Sequence, residues 1–183
     1  VEYNERMYSV GKIPGGFNKR EGKASENAIL TDRVIDRPMR PLFPKDYRND
    51  VTLNNMVMSV DPTCRPELVA MLGAAIATCI SDIPFDGPCA MTQMGMKNGE
   101  FIVNPSQKDW DEGDLKLTVA STATKVIMIE AGANEIPEAK MIEAIYKCHD
   151  VNQTVIAFIN KIREEVGKPK HAYTCLLYTS PSP

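Results

Sequence analysis

The sequence is poor in the residues that most often build metal centres and covalent-catalysis sites. It has only two histidines, His149 and His171, and one tryptophan, Trp110. The five cysteines (Cys64, Cys79, Cys89, Cys148 and Cys175) are scattered, with no CxxC pair, so neither a zinc ribbon nor a disulfide framework can be written from them. No Ser/His/Asp or Cys/His set marks a nucleophile. No apolar run approaches the roughly 18 residues of a membrane-spanning helix, and no basic segment leads into a short apolar stretch as in a signal peptide. An excess of one charge is missing too. At a net charge of −3, any contact with nucleic acid must come from a local basic cluster. These absences give four expectations: reduced core thiols, a reducing compartment (most simply the cytoplasm), no membrane partner and no metal ligand in this chain.

What is present is ordinary soluble-protein chemistry, enough for one domain with a sizeable core. Residues 1–23 are glycine-rich with interleaved charges and read as a short extended segment followed by a loop. Ser25 is placed to cap a helix that carries Glu26 in its first turn and stops near Asp36, because Pro38 disfavours helical geometry at Arg37. Three prolines between Pro38 and Pro44 make a stiff, irregular connection. Val51–Val60 reads as a strand. Leu68, Leu72, Ile76, Cys79 and Ile83 recur at helical spacing, with small residues on the other sides, as in a core helix. Asn98-Gly99 between two apolar runs is a hairpin signal. Leu115, Leu117 and Val119 alternate with polar residues before a turn into Val126–Glu130, a second strand pair. From Pro137 a long helix follows Met141, Ile145, Cys148, Asn152, Val155, Ile159, Ile162 and Val166 to Gly167. Hairpin-paired strands with a few long helices imply an α+β domain. The last ten residues, 174–183, lose both charge and periodicity and read as a non-native tail. The first residue is Val1 rather than Met, which suggests a fragment or a processed chain.

One cluster could carry chemistry. Gly15–Lys23 joins Phe17, Asn18, Lys19, Arg20 and Lys23 within a glycine frame. Cations for phosphate beside a ring on which a base can stack are the minimum for holding single-stranded nucleic acid. A solvated loop with a few charges is the competing reading of the same composition. A Walker-type phosphate loop fails, because Ala24 stands where a hydroxyl must ligate magnesium. Asp32, Arg33, Asp36 and Arg37 share helix faces and suit structural ion pairs better than paired acid/base groups. Glu26, Asp82 and Asp86 suit caps and turns, His149 a core or interface role, and Trp110, without basic neighbours in sequence, the edge of a core.

Taken in order, Asn4–Tyr8, Gly11–Phe17, Arg20–Gly22, Ser25-Glu26, Ile35–Pro44, Ile83–Pro88 and Val103–Pro105 resemble the first core domain of the polynucleotide phosphorylase family. The resemblance runs from Val1 to about Tyr173. It implies a ribonuclease-PH-like (ribosomal-protein-S5-domain-2-like) α+β core over residues 1–166 whose opening N-terminal strands are missing, leaving an unpaired sheet edge, and the start of a helical linker over 167–173. The intact enzyme it implies is a cytoplasmic, homotrimeric ring that serves mRNA degradation and RNA processing. That enzyme is a 3′→5′ phosphorolytic exoribonuclease using inorganic phosphate and Mg2+, with degradosome-type partners. Phosphate and Mg2+ would be bound in a second core outside this chain, so no catalytic residue is assigned here. The loop bearing Phe17, Asn18, Lys19, Arg20 and Lys23 would grip single-stranded RNA, departing from the family pattern at Asn18 and at Lys23, where arginine is common. A non-catalytic RNA-binding scaffold module and a stand-alone ribonuclease PH or exosome-ring relative are the alternatives.

Overall fold

The computed structural model describes residues 1–13, 15, 21–61 and 63–173. The chain opens with strand β1 (Glu2–Glu5) and a 3-10 turn at Met7–Val10, then forms helix α1 (Glu26–Met39) and a second 3-10 turn at Arg40–Leu42. Strand β2 (Asn54–Val57) and helix α2 (Pro66–Ile80) follow. Next come β3 (Ala90–Lys97), β4 (Glu100–Val103), the short helix α3 (Gln107–Glu112), β5 (Leu115–Ser121), β6 (Val126–Ala133) and the long helix α4 (Glu138–Val166).

β3 to β6 form a four-stranded antiparallel sheet in the order β4-β3-β5-β6. The Asn98-Gly99 hairpin is realised with both residues at positive φ, 53° and 82°, the backbone that matches strand twist at a two-residue turn. β5 and β6 pair from Leu115↔Ala133 to Ala120↔Met128 and slip by a bulge before Ser121↔Val126. An unexpected feature is that β1 and β2 pair in parallel, Glu2↔Asn54 through Glu5↔Val57. A parallel pair needs a crossover, which α1 supplies, so the α+β class holds with one strand–helix–strand unit added to its hairpins. The strand expected over Val51–Val60 shortens to Asn54–Val57, the four residues that face β1.

α1 runs past the expected stop at Asp36 and carries Pro38 inside its last turn. A proline there forfeits only one helical hydrogen bond, and the Arg40 N–H still donates to the Asp36 carbonyl. Burial of Ile35, Pro38 and Met39 against the core holds the turn in place. Ser25 caps the other end, its Oγ accepting from the Ala28 N–H at 3.1 Å. α2 stops at Ile80, so Ile83 lies beyond it. One apolar cluster gathers α1, α2 and the β1–β2 pair; a second lies between the sheet and α4.

α4 buries Ala144, Cys148, Asn152, Ile156 and Ile159, while Val166 is exposed. Asn152 is completely buried on this apolar face. Its Oδ1 accepts from Thr92 Oγ1 of β3 at 2.7 Å, and its Nδ2 lies 3.2 Å from the Val119 carbonyl and 2.9 Å from Ser121 Oγ, both of β5. Beyond α4 the chain folds back. The Lys168 N–H donates to the Ile80 carbonyl, and Lys170 Nζ donates to the carbonyls of Thr78, Cys79 and Ser81 at 2.9, 3.1 and 2.7 Å, closing the C-terminal end of α2. Among the described residues no helix is long and apolar enough to cross a membrane. Cys79, Cys89 and Cys148 are buried free thiols, as expected of core cysteines; Cys64, in the turn before α2, is exposed.

Two measurements test this packing. Replacing Asn152 with leucine should lower stability by about 1–3 kcal/mol, since it strands the buried Val119 carbonyl and the Thr92 and Ser121 hydroxyls; urea unfolding reads the loss, and an unchanged midpoint would refute the role of this bridge. Burial pushes the Cys89 and Cys148 thiols from 9.0 up to about 12. The folded state therefore holds these protons more tightly than the unfolded chain. Their contribution is complete below pH 9 and is lost as pH rises toward 12. Native alkylation at pH 8, mapped by peptide, should modify Cys64 and spare Cys79, Cys89 and Cys148.

Candidate nucleic-acid interface

The basic loop singled out in the sequence lies between the 3-10 turn and α1. Phe17, Asn18, Lys19 and Arg20 lie outside the described residues, so the frame on either side defines this site. Before the loop, the 3-10 turn at Met7–Val10 is closed by Gly11, which at φ 70° takes the left-handed position and donates to the Tyr8 carbonyl. Ser9 stitches this turn to the body: its Oγ donates to the Arg6 carbonyl at 2.7 Å, and its own carbonyl accepts from the Val60 N–H at 3.2 Å.

After the loop, Glu21 ties the chain back to the same turn. One carboxylate oxygen accepts from the Met7 N–H at 2.6 Å, and the other meets Arg6 Nη1 at 3.3 Å. A charge-assisted bond to a backbone N–H is short and strong relative to a neutral pair. Glu21 therefore ties the chain after the loop to the turn before it. Lys23 stands two residues on and is exposed, with its side chain free to reach an anion. The sequence pattern offered Lys19, Arg20 and Lys23 as a set, and the structure adds a feature that pattern could not give: Arg6 and Glu21 are joined as the base of the loop.

Within the Asp/Arg run of α1, Asp36 and Arg37 enter ion pairs, though not with each other. Arg40 Nη2 meets Asp36 Oδ2 at 2.6 Å, and Arg37 approaches Glu130 of β6 at 3.9 Å. Arg33 is exposed, and burial raises the pKa of Asp32, whose Oδ1 has no hydrogen-bond partner. Asp32 and Asp36 do not converge on a shared position; Asp36 is committed to Arg40. His149 is half-buried beside Gln153, and His171 lies at 3.4 Å from the Tyr47 hydroxyl while bonding the Asp82 carbonyl. Trp110, which has no basic neighbour in sequence, is met in space by Arg65, whose guanidinium stacks 4.3 Å above its ring. Among the described residues no group of three or more His, Cys, Asp or Glu side chains could hold a metal ion.

This mixed core of hairpin sheet, buried helices and glycine-framed loop defines a class. The profile of domain 1 of the 3′ exoribonuclease family matches residues 1–84, and that of domain 2 matches residues 87–149. The chain belongs to the 3′ exoribonuclease family. Among curated relatives it is 72% identical over 173 residues to a polyribonucleotide nucleotidyltransferase of Lachnoclostridium phytofermentans, a match that takes in 94% of this chain and 25% of that protein. The same enzyme of Alkaliphilus oremlandii is 53% identical over 176 residues, with 96% and 25% covered. The chain thus spans about a quarter of the length of the curated relatives it matches. Among solved structures, rice (Oryza sativa) Rrp46 superposes with a TM-score of 0.65 at 11% identity, over 78% of this chain and 69% of that one; it shares the fold.

The stem is open to direct test. In Glu21→Gln the Met7 amide should lose its charged acceptor and exchange with solvent faster than in the parent chain, by roughly the tenfold or more that a charge-assisted bond represents. An unaltered exchange rate at Met7 would remove Glu21 from the stem.

Proposed function

We propose that the chain is the greater part of the first ribonuclease-PH-like core of a polyribonucleotide nucleotidyltransferase, and that in the whole enzyme it guides RNA toward phosphorolysis. The single observation that supports this best is the 72% identity to a protein of that name over 94% of the chain. In the reaction, an oxygen of inorganic phosphate attacks the phosphorus of the 3′-terminal phosphodiester. The bond to the 3′-oxygen of the preceding nucleotide breaks, a nucleoside diphosphate departs and the shortened RNA regains a 3′-hydroxyl.

This chain's own part is to bind and orient. Phe17 offers a ring on which a base stacks, an interaction worth roughly 1–3 kcal/mol per base. Lys19, Arg20 and Lys23 neutralise backbone phosphates, Asn18 adds an amide donor, and Glu21 with Arg6 holds the stem. Lys23 in place of an arginine gives a point charge and not a planar two-pronged contact, which suits non-specific grip. Residues 1–166 form the core in this reading, 167–173 begin a linker, and 174–183 are a non-native tail. In this reading magnesium is bound in the second core, outside this chain. A homotrimeric ring, a cytoplasmic location, work in mRNA degradation and degradosome-type partners complete the proposal.

The whole enzyme, given inorganic phosphate and a single-stranded RNA with a free 3′-hydroxyl, should release nucleoside diphosphates; release of nucleoside monophosphates would mean hydrolysis and overturn the assignment. In the same enzyme, Lys19→Ala combined with Arg20→Ala should weaken RNA binding and reduce the salt slope by about 1.4, at roughly 0.7 per phosphate contact on a single strand. A slope identical to that of the unaltered enzyme would take the loop out of the RNA path.

A further inference from the structure

Stacking on single-stranded RNA needs an aromatic ring that solvent reaches, held on fixed backbone beside cations. Among the described residues the exposed aromatic side chains are Tyr8, Tyr146 and Phe158. Tyr146 and Phe158 lie on α4. Trp110 is half-buried, its ring already stacked under Arg65 in a mixed-charge cleft with Glu67, Lys116 and Glu130. Tyr8 belongs to the 3-10 turn that leads into the basic loop.

That turn presents the Tyr8 ring on fixed backbone. Gly11 closes it at φ 70°, the Lys12 N–H donates to the Met7 carbonyl at 3.0 Å, and Ser9, only 6% exposed, joins it to Val60. Glu21 holds the Met7 N–H from beyond the loop. The Tyr8 hydroxyl donates to Met58 Sδ at 4.0 Å, a soft contact that steadies the ring, yet 44% of the residue stays open to solvent. The neighbouring charges suit a polyanion. Lys12 and Lys23 are exposed on either side of the loop. Glu21 and Asp61, which border the turn, are both committed, Glu21 to Met7 and Arg6 and Asp61 to the N–H and hydroxyl of Thr63.

We propose that Tyr8 is a second stacking platform, on which a base of single-stranded RNA lies where the strand passes the turn beside the loop. The platform rests on the RNA-guiding reading of that loop and extends it to a residue outside the basic cluster. A ring already fixed loses little freedom on binding, so its stacking energy goes into affinity. The hydroxyl is occupied by Met58, so the ring reads no base edge and the platform accepts every base. Cations set how steeply binding falls with salt, whereas a stacked ring releases no counterion. The two contributions therefore separate in one experiment.

In the whole enzyme, Tyr8→Leu should weaken binding of a single-stranded RNA by roughly five- to a hundredfold, the equivalent of one stacked base, and leave the salt slope unchanged. Tyr8→Phe should keep the affinity of the unaltered enzyme. RNA carrying 4-thiouridine, irradiated on the unaltered enzyme, should cross-link to the peptide that contains Tyr8. Undiminished affinity in Tyr8→Leu overturns the proposal. So does an equal loss in Tyr8→Phe, which would assign the effect to the contact between the hydroxyl and Met58. A changed subunit number in Tyr8→Leu overturns it as well, by placing the ring in a contact between chains. Should Tyr8→Leu fail to fold, the cross-link decides, and its absence removes the platform. Failure of the loop reading shows elsewhere: Lys19→Ala with Arg20→Ala then leaves the salt slope intact, whatever Tyr8 does.

Discussion

The structure depends on how α4 is fastened to the sheet, and Asn152 is the fastening. A wholly apolar interface would allow a long helix to slide or turn by one residue at modest cost. A buried amide joined to Thr92, Val119 and Ser121 sets one depth and one rotation. With α4 fixed, β3 and β5 are covered on one face, and the apolar cluster of Met94, Leu115 and Leu117 closes against Ala144 and Cys148. The sheet then forms a rigid platform against which α1 and α2 pack from the other cluster. Both polar sites, the loop stem and the cleft at Arg65, stand on the elements this platform positions.

The two sites are built on different physical terms. The loop stem uses a carboxylate to hold backbone, spending its charge on the Met7 N–H and Arg6. The cleft at Arg65 instead mixes both signs at close range, which gives little long-range attraction.

Much of the fold was legible because local rules dominated it. Asn98-Gly99 makes its hairpin, Pro137 precedes α4, Gly167 ends it, and the apolar stripe from Leu68 marks α2. The misses share one cause: each depends on a partner far away in sequence. The β1–β2 pairing spans some fifty residues and leaves no periodic trace. Pro38 stays helical because tertiary burial of its neighbours outweighs its local preference. Asn152 sits on an apolar stripe where its spacing is visible but its three partners are not. In the loop, residue types were legible and the Glu21 clamp was not, since glutamate in REG reads as one more surface charge. The Arg65–Trp110 stack was hidden for the same reason, the two lying 45 positions apart.

Lys170 gives the fold a less obvious dependence. A scheme that drew the edge of the folded unit at the last turn of α4 would discard the side chain that satisfies three backbone oxygens at the tail of α2, a helix at the centre of the core. The seven residues past that turn therefore act as a latch as well as a path onward, and any excision or fusion at this junction changes the core helix nearly ninety positions earlier.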